Sequence, residues 1–171
     1  STGKTIKSAS DAGGDKPVFE SPTEVAPGIT EVEIFEGSGE FINREAAARY
    51  ARGRVVDFFS ENGGFALRRA PVADTVEAID SSADAVARIG QNAAKNQLAN
   101  ITAREANVFD ALRLLEREGA RFDMVVLDPP AFAKNKASVP KALAGYKEIN
   151  LRALRLLNPG GYLVTCSCSY N

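Results

Sequence analysis

From Arg54 onward, short apolar runs alternate with stretches whose apolar residues recur at helical spacing, and this rhythm constrains the fold more than any other feature. Consecutive parallel strands cannot be joined by a tight turn, so such a rhythm builds a parallel sheet with crossover helices on both faces. Val55-Val56-Asp57-Phe58-Phe59 reads as a first strand, and Gly63-Gly64-Phe65-Ala66-Leu67 opens a short helix that Pro71 stops. Thr75 to Asp80 is a second strand. Ser81 with Asp84 forms a capping-box start for a helix whose Val86, Ile89 and Ala93 share one face despite Gly90. Ile101 to Arg104 is a third strand, and Val108, Leu112 and Leu115 mark a helix closed by Gly119. Phe122 to Leu127 is a fourth strand, apolar apart from Asp123. A helix carrying Leu143, Tyr146, Ile149, Ala153 and Leu156 follows, halted by Asn158-Pro159-Gly160-Gly161, and Tyr162 to Cys166 is the fifth strand. The expected fold is a doubly wound, mostly parallel α/β sheet.

Composition removes several classes of function. At 171 residues, 44% hydrophobic and 25% charged, the chain suits one globular domain with its own core. Its apolar runs are too short to span a bilayer, and Ser1-Thr2-Gly3-Lys4 lacks the apolar stretch of a secretory signal, so a cytoplasmic location is expected. With no histidine and two cysteines one residue apart, no metal site is expected and Ser-His or Cys-His catalysis is excluded. Proton transfer falls to carboxylates, Lys, Tyr, Cys or water. A net charge of −1 gives no general footprint for nucleic acid, so any RNA-binding surface must be local or lie on another segment.

The N-terminal part differs in texture. Residues 1–28, rich in Ser, Gly, Asp, Lys and Pro, read as a flexible lead, and Gly3-Lys4-Thr5 lacks the upstream strand and glycine of a phosphate loop. Residues 29–53 read as a hairpin followed by a short helix. Val32-Glu33-Ile34-Phe35 and Glu40-Phe41-Ile42 flank Gly37-Ser38-Gly39, and Asn43 caps a helix through Tyr50 that ends near Gly53. Residues 54–171 form the α/β domain.

Two segments carry chemistry. Asp128-Pro129-Pro130-Ala131-Phe132 closes the fourth strand and Cys166-Ser167-Cys168-Ser169 closes the fifth, so both belong to the ligand-binding edge of an open α/β sheet. A proline-stiffened loop can present a carboxylate to a planar ring beside an aromatic face, and a neighbouring thiol can attack that ring.

On these motifs the chain resembles class I S-adenosylmethionine-dependent methyltransferases, and within them the large-subunit ribosomal RNA cytosine-5 methyltransferases. The matching residues are Asp57-Phe58-Phe59-Ser60 with Gly63-Gly64-Phe65, Asp80-Ser81-Ser82, and Val108-Phe109-Asp110. Asp128-Pro129-Pro130-Ala131-Phe132, Gly145-Tyr146-Lys147 with Asn150, and Cys166-Ser167-Cys168-Ser169 complete the pattern, about two thirds of the chain. The resemblance implies a Rossmann-like methyltransferase sheet, S-adenosylmethionine as cofactor and RNA, in particular ribosomal RNA, as partner. It implies that Asp57, Ser60, Gly63, Gly64, Asp80, Ser81, Asn107, Val108 and Asp128 surround the cofactor. Glycine amides would cradle its methionine end, Asp80 would accept ribose hydroxyls, and Asn107, where the family has Asp, would border adenine. Cys168 would be the nucleophile toward C6 of cytosine, with Asp128 orienting the ring and Pro129, Pro130 and Phe132 framing it; Cys166 reads as a small core residue.

The departures from the family pattern shape further expectations. Glu61-Asn62 replaces an aromatic residue and threonine, which sets a carboxylate near the cofactor's own. The class I sheet has seven strands, and its last two, expected after Cys168, are apparently missing. This predicts a fragment or a remodelled domain whose fifth strand is covered by the N-terminal hairpin or by a second chain, as a homodimer or by edge-strand pairing. Two alternatives stay open: an amino-methyltransferase acting through the Asp-Pro-Pro loop without a thiol, and a non-catalytic cofactor- or RNA-binding module. A dinucleotide dehydrogenase is disfavoured because no G-x-G-x-x-G follows the first strand.

Overall fold

The structure, a computed structural model, describes the backbone of residues 23–26 and 29–33 and, in full, residues 50–133 and 135–166. Seven strands form one sheet: β1 Thr23–Ala26, β2 Ile29–Glu33, β3 Arg54–Phe58, β4 Thr75–Asp80, β5 Ile101–Glu105, β6 Phe122–Leu127 and β7 Leu157–Thr165. The four α-helices among the described residues are α1 Gly64–Arg69, α2 Ala83–Lys95, α3 Val108–Arg117 and α4 Val139–Leu156. The strand order is β1-β2-β7-β6-β3-β4-β5. Every neighbouring pair is parallel except β1 with β2.

Strand alternation divides the core between the two faces. Val56, Phe58, Ile79, Val125, Leu127 and Leu163 pack against Val108, Leu112 and Leu115 of α3 and Ile149, Ala153 and Leu156 of α4. Val55, Val76, Ala78, Met124, Val126 and Val164 pack against Phe65, Ala66 and Ala70 at α1 and Ile89 of α2. Phe58, Ile79, Leu112, Ile149 and Leu156 are fully enclosed, and burying each large apolar side chain is worth about 1.5–3 kcal/mol. The doubly wound, mostly parallel sheet expected from the chain's rhythm is the one formed.

Details of the elements depart from the sequence expectation for local reasons. Phe59 leaves the first strand with a φ of 60°. The caps also shift: Ser82, not Ser81, accepts the Ala85 amide and starts α2. In α4 the phase set by Ile149, Ala153 and Leu156 buries Ala142, and Leu143 is 63% exposed rather than on the core face. The fifth strand begins at Leu157, five residues early, because Asn158 donates to Asp123 and the missing side chain of Gly161 lets the backbone pass close to Asp123.

The edge beside β7 is occupied. β2 lies parallel to β7, with Ile29 opposite Gly161 and Glu33 opposite Thr165, and β1 adds an antiparallel outer strand. A hairpin at this edge was one of the two expectations. It is built from residues 23–33 rather than 32–42, so ordered strand reaches into the 1–28 lead and β7 needs no second chain for cover. Residues 34–49, with the expected second hairpin strand and most of the Asn43 helix, lie outside the described residues, as does Gly3-Lys4-Thr5.

Candidate functional site

The candidate site lies where β3 is flanked by β4 on one side and β6 on the other, the point at which the chain reverses its direction of winding. Loops leaving the carboxyl ends of strands diverge there and leave a crevice. The Asp128 amide donates to the Phe58 carbonyl across β6 and β3 at 3.4 Å, and the Cys166 amide to the Leu127 carbonyl at 2.8 Å. The ends of β3, β6 and β7 are thereby tied into one rim.

The β3–α1 loop is shaped by an unusual series of left-handed residues, Phe59 (φ 60°), Glu61 (φ 51°) and Gly63 (φ 79°). Only glycine takes this conformation without cost, so two non-glycine residues in it mark stored strain of roughly 1–3 kcal/mol each. The strain is held by Ser60, which is buried. Its hydroxyl donates to the Asp57 carbonyl at 2.5 Å and accepts the Ile79 amide at 3.1 Å, bridging β3 to β4. Asp57 itself is fully enclosed. At Gly63 an added Cβ would meet Ile89 at 3.1 Å and Leu67 at 3.3 Å. The backbone therefore runs bare past the start of α1, where Gly64 is the first helical residue.

Asp80 is half-buried at the end of β4. Its Oδ2 accepts the Glu61 amide and its Oδ1 the Ser82 amide, both at 2.9 Å. A carboxylate offers about four acceptor directions, so Asp80 both latches the strained loop and keeps acceptor capacity toward the crevice. Ser81 and Glu61 are exposed beside it. Asn107, at the end of the next loop, caps α3: its Oδ1 accepts the Phe109 and Asp110 amides at 3.0 and 3.3 Å. That oxygen is engaged in capping, which leaves the Asn107 NH2 group as its open polar function; Val108 is buried.

Around the Asp128-Pro129-Pro130 turn, Asp128 is half-buried, Pro129 buried and Pro130 exposed. Phe132 turns inward and forms an aromatic cluster, with ring centroids 4.5 Å from Tyr146, 5.9 Å from Phe109 and 6.1 Å from Phe59. The Phe132 amide also donates to the Tyr146 hydroxyl at 3.4 Å. Gly145 makes room, since a Cβ there would come within 3.3 Å of the Phe132 ring. Helix α4 is held to α3 by charge pairs: Arg113 bridges Asp110 and Glu148, and Arg152 joins Glu148 to Glu116. The Arg113 hydrogen bond holds the Glu148 carboxyl below its usual range.

Several of these residues lacked a role in the sequence. Tyr146 and Gly145 stood in a matching motif without a function, and nothing in local spacing links Phe59, Phe109 and Phe132. Arg69 of α1 was also missed; it is fully enclosed, donates to the Phe65 carbonyl and lies over that ring. Cys166 is half-buried against the α1 face. Cys168, the expected nucleophile, lies outside the described residues.

A crevice with a glycine-bearing loop after the first core strand, an acid after the second and Asp-Pro-Pro after the fourth defines an α/β transferase architecture, and the chain belongs to the methyltransferase-domain family, whose model matches residues 51–171. The ribosomal RNA large subunit methyltransferase I of Shewanella denitrificans is 45% identical over 131 residues, which cover 74% of this chain and 33% of that protein. The chain thus spans about one third of the length of the curated relatives it matches. Among solved structures, TrmN from Thermus thermophilus aligns with a TM-score of 0.57 and 27% identity, covering 76% of this chain and 39% of that one. The SMU.776 structure, solved with SAH, shares the fold at a TM-score of 0.64 and 24% identity, covering 75% of this chain and 35% of that one. Among the described residues no helix is long and apolar enough to cross a membrane.

Proposed function

We infer that this chain binds S-adenosylmethionine at the β3/β4 side of the crevice and transfers its methyl group to C5 of a cytosine in ribosomal RNA at the β6/β7 side. The observation that carries this reading is the shared rim: the Asp128 turn is hydrogen-bonded to the end of β3 and the end of β7, two residues short of Cys168, to the end of β6, next to the strained glycine loop. The residues fit the cofactor. Gly63 takes the left-handed turn, packed against Ile89 and Leu67, that sets the loop backbone at the start of α1, Asp80 keeps acceptor directions for ribose hydroxyls, and the Asn107 NH2 and the first amide of α3 border the place for adenine. Ser60 and Asp57 act from within, fixing the loop.

When bound, S-adenosylmethionine supplies an electrophilic methyl group. The Cys168 thiolate would add to C6 of the base, and the electron pair released onto C5 would take up the methyl as its bond to sulfur breaks, leaving S-adenosylhomocysteine. Loss of the C5 proton to a base then expels the thiolate, restoring the ring and the enzyme. Asp128 orients the ring, and Pro130 is the exposed wall of its loop. The aromatic cluster under Phe132 fixes that loop. The name of the Shewanella relative supports the ribosomal RNA substrate.

The test is a ribosomal RNA fragment carrying 5-fluorocytosine, which cannot lose a proton from C5 and so traps the adduct. A covalent complex is expected with the parent and Cys166→Ala and absent with Cys168→Ala, while calorimetric affinity for S-adenosylmethionine stays the same in all three. Methyl transfer without an adduct would instead favour the exocyclic amine as acceptor.

A further inference from the structure

Between Pro129 and Lys147 the chain carries four lysines and no acidic residue, in a protein whose net charge is −1. The segment runs from the Asp128 turn through a 3-10 turn, Lys136–Ser138, into the first half of α4. Lys136, Lys141 and Lys147 are all exposed, and none has an ion pair with a described residue. The nearby acids are already answered elsewhere: Glu148 by Arg113 and Arg152, Glu116 by Arg152 and Arg155. The first turn of this 18-residue helix holds no acid, so its dipole adds to the positive field. Leu143, 63% exposed, lies one turn before Lys147 on the helix surface.

The opposite rim of the crevice has the other sign. Glu61, Asp80, Asp84 and Glu105 collect around the ends of β4 and β5, where Arg88 reaches Asn62. A polyanion is repelled from that side and drawn to the lysine side. The contact between Phe132 and Tyr146 fixes the lysine-bearing helix against the Asp128 loop, so a strand bound along the start of that helix lies next to the loop.

We propose that Lys136, Lys141 and Lys147 form a phosphate-tracking surface that receives single-stranded RNA and delivers the target base to the Asp128 loop. This rests on the methyltransferase reading of the site but predicts binding that needs no turnover. Phosphate contacts of this kind carry little sequence preference and are salt-sensitive, whereas base choice stays with the crevice.

The experiment uses the full chain saturated with S-adenosylhomocysteine and a labelled single-stranded RNA of mixed sequence, with affinity measured across a series of KCl concentrations. In the triple variant Lys136→Gln, Lys141→Gln, Lys147→Gln, the slope of log affinity against log salt should shrink by about 2, at roughly 0.7 per lost phosphate contact, with about tenfold to a hundredfold weaker binding at 0.1 M salt. S-adenosylhomocysteine affinity and the unfolding midpoint should not move. A matched variant at the far end of the sheet, Lys95→Gln, Arg117→Gln, Arg121→Gln, removes the same charge from exposed positions and should bind RNA as the parent does. Equal losses in both variants, an unchanged slope in the first, or tighter binding of the parent to phosphatidylserine vesicles than to RNA would each overturn the assignment. RNA binding that depends on the three lysines without methyl transfer would uphold this surface and sink the catalytic reading instead.

Discussion

The two ends of the sheet use the same device for opposite purposes. At the amino end, Asp123 accepts the Arg54 amide on one oxygen at 2.8 Å and the Asn158 side chain on the other at 2.9 Å. Gly53 presses so close that a Cβ there would sit 2.0 Å from the carboxylate, and Arg52 closes the rim through the Gly160 carbonyl and the Tyr162 ring. At the carboxyl end, Asp80 also gathers two amides, but one belongs to a loop with left-handed residues and the crevice stays open beside it. A carboxylate seated among fixed donors locks strands together. One that latches a strained, solvent-facing loop shapes a place for a ligand.

Gly53→Ala should have the largest effect. It forces a side chain into Asp123 at a φ of 56°, and an unfolding free energy lower by about 3 kcal/mol or more is expected in urea titration. A cost under half that would show that the amino end is soft. Asp123→Ala comes next, at about 2 kcal/mol, from losing the acceptor of the Arg54 amide and of the half-buried Asn158 side chain together.

The same carboxylate gives a pH signature. The Arg54 amide, then Asn158, hold its pKa below the ordinary 3.8, so its contribution is complete above that value and is lost as pH falls toward the folded pKa. Glu116 and Glu148, also lowered, add to the acid loss in parent and variant alike. Asp123→Asn should therefore lose less stability than the parent between about pH 5 and pH 2, and parallel acid curves would count against the lock.

Asp80→Ala should have the smallest effect on stability, about 1 kcal/mol, because the amides it frees face water. Its effect should appear in S-adenosylmethionine affinity, weaker by about 1.5–3 kcal/mol in calorimetry, roughly tenfold or more. If stability falls and affinity does not, Asp80 is a lock like Asp123 and the contrast between the two ends collapses.

The five core parallel strands, their order of appearance, the helices between them and the rim on which Asp80, Asn107 and Asp128 stand are legible in the residue pattern. These follow from apolar periodicity and from proline and glycine punctuation, which act over a few residues and are written locally. The neighbour of β7 is not legible there, because pairing Ile29–Glu33 with Gly161–Thr165 spans more than a hundred residues and leaves no periodic trace in either segment; the folded chain alone sets it. It likewise set Phe132 among Phe59, Phe109 and Tyr146 in an aromatic cluster, and gave the Asn107 oxygen to a helix cap. Side chains with two possible partners are assigned by whichever neighbour packing brings first, and that neighbour is a property of the fold.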